Sequence, residues 1–183
     1  TREAKSKDEL SFLVVNETRE IIDYTTSFLL LKSATDKFHI NAISDIASID
    51  RTAPLVTFVE SIINHKTKIN LKEIESIDLE QFSKKIKKQK PKNIPQYLLC
   101  IPIFSPQRGL QGYLLLARNK NFNENENELV QHLSRTYGHA YNTFLTNFSI
   151  KNFLKKNFTG KKRWITISVI ILIFLFPVRM TST

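Results

Sequence analysis

YLLCIPIFSPQRGLQGYLLLARNKNFNENENELVQHLSRTYGHAYN, residues 97–142, holds two apolar runs, a turn between them and the opening of a helix. Tyr97 to Phe104 is an almost unbroken series of Leu, Ile and aromatic residues, and Tyr113 to Ala117 is a second one. Between them Ser105 to Gly112 carries Pro106, Gly109 and Gly112, residue types that supply a fixed or a positive φ in turns. Neither run alternates apolar with polar positions, so both strands are predicted to be central in a sheet and covered on both faces. Asn123 then stands three residues before Glu126, the spacing of a reciprocal capping box. The helix it opens is predicted to place Leu129, Leu133, Tyr137, Ala140, Tyr141 and Phe144 on one face and to continue past Phe148.

Upstream, Asp8 is positioned to cap a helix reaching about Asp23, with Leu10, Leu13, Val14 and Ile21 near helical spacing. Two strands follow, Thr25 to Leu31 and Lys37 to Ala47, the second with Phe38, Ile40, Ala42 and Ile43 as inward candidates. The polar SATDK between them reads as a hairpin turn. Pro54 suits the first turn of a helix capped by Asp50 or Thr52, and Leu55, Phe58, Val59, Ile62 and Ile63 form its apolar stripe to about His65. Thr67 to Leu71 reads as a short strand, and Asp78 to Lys90 as a helix with Leu79, Phe82 and Ile86 on one face, ended by Pro91 and Pro95.

This order, and above all the strand that ends in Pro-x-Phe, the G-x-x-G turn, the second apolar strand and the acidic start of the last helix, resembles a GAF domain over about Asp8 to Phe148. The resemblance implies an α+β fold: an antiparallel sheet flanked by helices. Any ligand pocket is expected between the sheet and the crossover segment that contains Leu55 to Lys92; the ligand itself is left unspecified. Asn119, Lys120, Asn121 and Phe122 only echo the NKFDE residues of cyclic-nucleotide GAF domains, and at the wrong element, so cyclic nucleotide binding has no support.

The other decisive stretch is FTGKKRWITISVIILIFLFPVR, residues 158–179, uncharged from Ile165 to Val178. A hydrocarbon core of roughly 30 Å asks for about twenty apolar residues, so this run is short and a buried core helix competes with a membrane span. Three features favour the span. Apolar residues occur on every side of the helix, Trp164 stands where an interfacial aromatic would, and Lys161, Lys162 and Arg163 can snorkel to lengthen it. The anchor is assigned to Trp164, Ile165, Ile170, Ile171, Leu172, Phe174 and Phe176. Lys155, Lys156, Lys161, Lys162 and Arg163 lie before it and only Arg179 after it, which predicts a cytoplasmic N-terminal side.

The formal net charge of +10 follows the same division. Residues 151–183 hold seven Lys or Arg and no acid, leaving 20 basic against 17 acidic residues, a net of +3, in residues 1–150. The basicity is therefore mainly a membrane collar and not a nucleic-acid footprint. A second cluster, Lys84, Lys85, Lys87 and Lys88, reads as a solvated helix face or as a contact to anionic headgroups. No aromatic residues interleave those lysines, which disfavours nucleic acid. Residues 1–150 are expected to form the cytoplasmic domain, 151–163 a basic juxtamembrane linker, 164–178 the transmembrane helix and 179–183 the start of a periplasmic region. Thr1 to Glu9 is too polar for a signal peptide, and a first residue other than Met suggests a fragment.

The junction of a GAF-like domain, KKRW, a short apolar helix and LFPVR also resembles the cytoplasmic N-terminal part of haemolysin-D-type membrane fusion proteins of bacterial inner membranes. That resemblance implies an inner-membrane transporter and an outer-membrane channel as partners. Chemistry is sparse by comparison. His39, His65, His132 and His139 lack metal-ligand spacing, and Cys100 between Leu99 and Ile101 reads as a small buried residue. Phosphate-binding loops, dinucleotide fingerprints and nucleophile elbows are not found, so neither catalysis nor a cofactor is expected. Tyr137, Tyr141, Phe144 and Phe148 either pack internally or form a homo-oligomer seam with the first helix. The leading expectation is a non-enzymatic regulatory or assembly domain of an inner-membrane-anchored export adaptor, and the alternative is the small-ligand sensory input domain of a membrane-anchored signalling protein.

Overall fold

The computed structural model describes residues 4–66, 73–82, 86, 90–105, 107 and 109–158, with side chains of the last helix followed through residue 144. It divides into two units, Thr1–Phe144 and Leu145–Thr183. In chain order the elements are α1 (Lys7–Glu17), β1 (Thr26–Lys32), β2 (Phe38–Ile43), α2 (Pro54–Lys66), β3 (Glu75–Asp78), β4 (Tyr97–Ser105), β5 (Gly109–Arg118) and α3 (Glu124–Phe158). The strands form one antiparallel sheet in the order β2-β1-β5-β4-β3.

β5 is the central strand and β4 lies beside it, as their unbroken apolar runs predict, and both are buried along most of their length. Their register runs from Tyr97 opposite Arg118 to Ser105 opposite Gly109. The strands are longer than predicted and the turn shorter, because Gly112 is not a turn residue. It pairs with Ile103 on one side and Leu31 on the other. A Cβ at residue 112 would fall inside contact distance of the Leu30 carbonyl oxygen, so glycine there permits close strand approach. Gly109 has the positive φ, 68°, that the turn requires.

Two cores follow from the alternation of side chains across the sheet. On one face Phe28, Leu30, Ile40, Tyr113 and Leu115 meet Phe58, Val59, Ile62 and Ile63 of α2. On the other, Leu29, Leu99, Ile101, Leu114 and Leu116 meet Leu10, Val14 and Val15 of α1 and Val130, Tyr137 and Tyr141 of α3. The sheet is thus sandwiched between α2 and the α1–α3 pair, an α+β arrangement of three layers.

Several boundaries differ from expectation for local reasons. Ser6, not Asp8, caps α1, its Oγ accepting from the Glu9 N–H at 3.0 Å. The helix ends at Glu17 and passes into a 3-10 turn, Thr18–Glu20, which leaves Ile21 half exposed and gives its place in the core to Ile22. β2 stops at Ile43, where Asp45 takes a φ of 62°. A register shift places Leu29 opposite Ala42 and Leu30 opposite Ile40, so Asn41 is an extra residue. Ala42 therefore faces the α1–α3 core while Phe38, Ile40 and Ile43 face the α2 core.

The third strand is Glu75–Asp78, whereas the predicted strand Thr67 to Leu71 lies in residues 67–72, outside those described. The predicted helix from Asp78 begins as a 3-10 turn, Leu79–Gln81, capped by the Asp78 carboxylate on the Glu80 N–H. Leu79, Phe82 and Ile86 do join the α2 core. On α3 Leu133, Tyr137, Ala140, Tyr141 and Phe144 face the core as predicted, whereas Leu129 is 48% exposed and Val130 takes the inward place. Among the described residues no helix is long and apolar enough to cross a membrane. Residues 159–183, with Trp164, Lys161 and the rest of the predicted anchor and collar, lie outside them, as do Lys84, Lys85, Lys87 and Lys88. Lys155 and Lys156 fall on α3, which runs through the first part of the predicted linker.

Candidate functional site

The start of α3 is fixed by polar chemistry legible from its spacing. Asn123 Oδ1 accepts from the Glu126 N–H at 2.9 Å, and Glu126 Oε2 accepts from the Asn123 N–H at 2.8 Å. Arg118, at the end of β5, forks onto the same carboxylate with bonds of 2.7 and 2.6 Å. It also donates to the carbonyls of Asp23, Lys120 and Asn121, so all five of its N–H groups are engaged. The Arg118 guanidinium, helped by the Asn123 N–H, holds the Glu126 carboxyl below its ordinary value.

Further along, α3 is tied through hydroxyls to α1 and to the 3-10 turn that follows it. Tyr137 Oη bonds Thr18 Oγ1 at 2.8 Å, and Tyr141 Oη donates to Ser11 Oγ at 2.9 Å. Ser11 Oγ also accepts from Asn41 Nδ2, the extra residue of β2, and donates to the Lys7 carbonyl. Burial pushes both tyrosine hydroxyls up, so they remain neutral donors.

Among the described residues, the space between the sheet and α2 where a pocket is predicted is filled by core side chains; Phe38 and Tyr113 meet there edge to face at 4.9 Å. A peripheral cleft of about 570 Å³ opens on that side between the β1–β2 turn and α2. Its wall seals the edge of β2 with side chains. Asn64 Oδ1 accepts from the Phe38 N–H and Asn64 Nδ2 donates to the Phe38 carbonyl, each at 2.9 Å. Glu60 Oε1 accepts from the Ile40 N–H at 2.8 Å, Arg51 donates to the Ile40 carbonyl, and Glu60 Oε2 meets His39 Nδ1 at 3.0 Å. An edge strand otherwise offers these backbone groups to another chain.

A second cleft, of about 550 Å³, lies on the other side of the sheet between α3 and β4. Ile74, Pro102 and Phe104 supply its apolar lining, and Asn127, Gln131 and Arg135 contribute a polar ridge from α3. Ser134 Oγ donates to the Pro102 carbonyl, and Gly138 lies so close to the Phe104 carbonyl that a Cβ would overlap it. This cleft joins three segments far apart in sequence and has no signature in any one of them.

Residues considered for chemistry are dispersed. Cys100 is fully buried in β4 and its thiol is pushed well up by burial, so the reactive thiolate is suppressed. His65 lines the α2 cleft, and His132 and His139 are exposed on α3. Among the described residues no group of three His, Cys, Asp or Glu side chains could hold a metal ion.

No family model matches the chain, and no curated protein matches it. Solved structures do. A domain from a protein described as a two-component sensor histidine kinase of Sinorhizobium meliloti is 14% identical with a TM-score of 0.60, covering 81% of this chain and 99% of its own. The GAF domain of the cyanobacteriochrome TePixJ is 11% identical with a TM-score of 0.59, covering 79% and 94%. The second GAF domain of DevS from Mycobacterium smegmatis is 8% identical with a TM-score of 0.51, covering 77% and 96%. The fold is GAF-like. At these identities the GAF likeness is one of fold alone, and it adds nothing to the haemolysin-D-type resemblance. Within that fold the expected Pro-x-Phe and G-x-x-G stretch forms the β4–β5 hairpin, with Pro102 and Phe104 lining the α3 cleft.

Proposed function

We propose that the chain is a regulatory input module of a signalling protein, tethered to a membrane by residues 164–178 with its GAF-like domain in the cytoplasm, and that it acts without a chemical step of its own. The observation that carries this reading is α3. It is a single 35-residue helix, Glu124–Phe158, whose first part packs in the sheet's core through Val130, Tyr137 and Tyr141. In sequence the same helix leads to the basic collar and the apolar run. A change in the sheet that shifts those three side chains has a continuous helix on which to act. The company the fold keeps also supports the reading, since its structural neighbours include a sensor kinase domain and a methyl-accepting chemotaxis protein.

An export-adaptor role rests on the FTGKKRW and LFPVR junction and shares the same tether. It differs in making the domain an assembly surface. Amide hydrogen exchange on the full chain in lipid nanodiscs separates the two, with cytosolic metabolites below about 1 kDa added in fractions. Regulation by a ligand predicts that at least one fraction changes protection in α3 between residues 124 and 144. No change with any fraction contradicts the regulatory reading.

A further inference from the structure

The α3–β4 cleft contains unspent hydrogen-bonding capacity. Asn127 Oδ1 is the single buried side-chain oxygen or nitrogen without a partner among the described residues. An unpaired acceptor shielded from water is costly, and a donor delivered through the cleft that Asn127 lines would relieve that cost. Nearby, the side chains of Glu73, Glu128, Gln131 and Arg135 line the same cleft, and none makes a hydrogen bond or ion pair among the described residues. Two carboxylates and a guanidinium therefore share one opening without neutralising one another.

Their order is informative. Asn127, Gln131 and Arg135 follow at four-residue spacing and form one ridge of α3, with Glu128 beside its N-terminal end. Side chains of a helix lean toward its N-terminus, so Arg135 leans back over the turn that carries Gln131. Glu128 and Arg135 stand seven residues apart, about 10 Å along the helix at the backbone, a gap that their two long side chains can close. Opposite the ridge, Ile74, Pro102 and Phe104 provide an apolar wall, and Phe104 is 39% exposed with no aromatic partner among the described residues.

We propose that this cleft binds a free amino acid with an apolar side chain. The ammonium, with three donors, is taken by Glu73, Glu128 and the Asn127 oxygen. The carboxylate is taken by the fork of Arg135. The side chain lies on Ile74, Pro102 and Phe104. This site is distinct from the α2 cleft and does not depend on the membrane tether.

Calorimetric titration of the full chain in lipid nanodiscs with leucine, isoleucine, methionine and phenylalanine tests it, followed by the matching amine without a carboxylate and the matching acid without an amine. Saturable binding of at least one amino acid is expected, with both truncated analogues and Arg135→Ala weaker by roughly tenfold or more, as loss of a charged hydrogen bond implies. Glu128→Gln should weaken the amino acid and leave the deaminated acid unchanged. Arg135 and Glu128 are exposed, so both variants should melt as the parent does without ligand. The ligand should also shift the Asn127 side-chain amide resonances, and His65→Ala, in the other cleft, should have no effect on binding. Failure of all four amino acids to bind, equal binding of the deaminated acid, or full affinity in Arg135→Ala overturns the proposal.

Discussion

Gly138 shows how one atom decides a helix position. Replacing a helical glycine with alanine ordinarily stabilises by about 1 kcal/mol, because the unfolded chain loses freedom and the helix gains propensity. Here the added methyl would enter the carbonyl of Phe104, a backbone group held in β4. Overpacking costs about 1–3 kcal/mol and a clash with backbone takes the upper end, so Gly138→Ala, less the usual gain, is expected to lower stability by about 2 kcal/mol net. Urea unfolding measures it; an increase in midpoint would mean that α3 does not lie against β4 as described. Arg118 is the second such residue. It is 8% exposed and satisfies a carboxylate and three carbonyls at once. Removal of one partner of a buried pair leaves the other uncompensated, and Arg118→Met should cost about 3 kcal/mol.

The same pair sets a pH dependence. Because the folded-state pKa of Glu126 is depressed from 4.5, chiefly by Arg118, folding favours the ionised carboxylate. Its contribution is complete above about pH 4.5 and is lost as the pH falls through the lower folded-state value. The variant Glu126→Gln should be less stable at neutral pH, and its stability should fall less steeply on acidification below that point. Denaturant midpoints collected across the acid range check both parts.

At the scale of elements, three segments share one hydroxyl. Asn41 of β2 and Tyr141 of α3 both donate to Ser11 of α1. Each single deletion, Asn41→Ala or Tyr141→Phe, should cost about 1 kcal/mol, and the pair should be non-additive by about 0.5 kcal/mol or more if Ser11 couples them. Additive losses would show that the three elements respond independently. Asn64→Leu addresses the outer edge of β2, since it strips both side-chain bonds from the Phe38 backbone. Lower stability and concentration-dependent association in sedimentation are expected, as for an uncovered edge strand.

These elements also show what sequence carries and what it does not. The β4–β5 hairpin was legible because two uninterrupted apolar runs can only be central strands, and the capping box because Asn123 and Glu126 are neighbours in the chain. The extra residue Asn41 was not, since a bulge is defined by the partner strand. β3 has only four residues, too few for period-two alternation to stand out. Ile21 and Leu129 depart from the faces their spacing predicts because a 3-10 turn carries Ile21 outward and Val130 takes the inward place beside Leu129, neither of which alters composition. The two clefts could not be read from one segment: the α3 cleft draws on residues as distant as Glu73, Pro102 and Asn127.

For the molecule as a whole, the division of charge and the division of function coincide in the proposal. Residues 1–150 carry a net of +3 out of the formal +10, so a domain of nearly balanced charge precedes a basic, acid-free segment. Such a segment is retained on the cytoplasmic side of a span, and a headgroup contribution of about 1 kcal/mol per cation near the surface would hold the domain close to the bilayer. Sedimentation of the full chain with anionic vesicles should accordingly be stronger than with neutral ones and weaken with salt. Equal retention on both vesicle types would leave the apolar run as the sole attachment.

The most direct test of a tethered cytoplasmic module is its topology in a bacterial membrane. Alkaline phosphatase fused after Thr183 should be active, and a cytosolic reporter fused before Thr1 should be active in the same cells, with the chain recovered in the membrane fraction. A phosphatase that is inactive after Thr183, or a chain recovered free of membrane, would contradict the account.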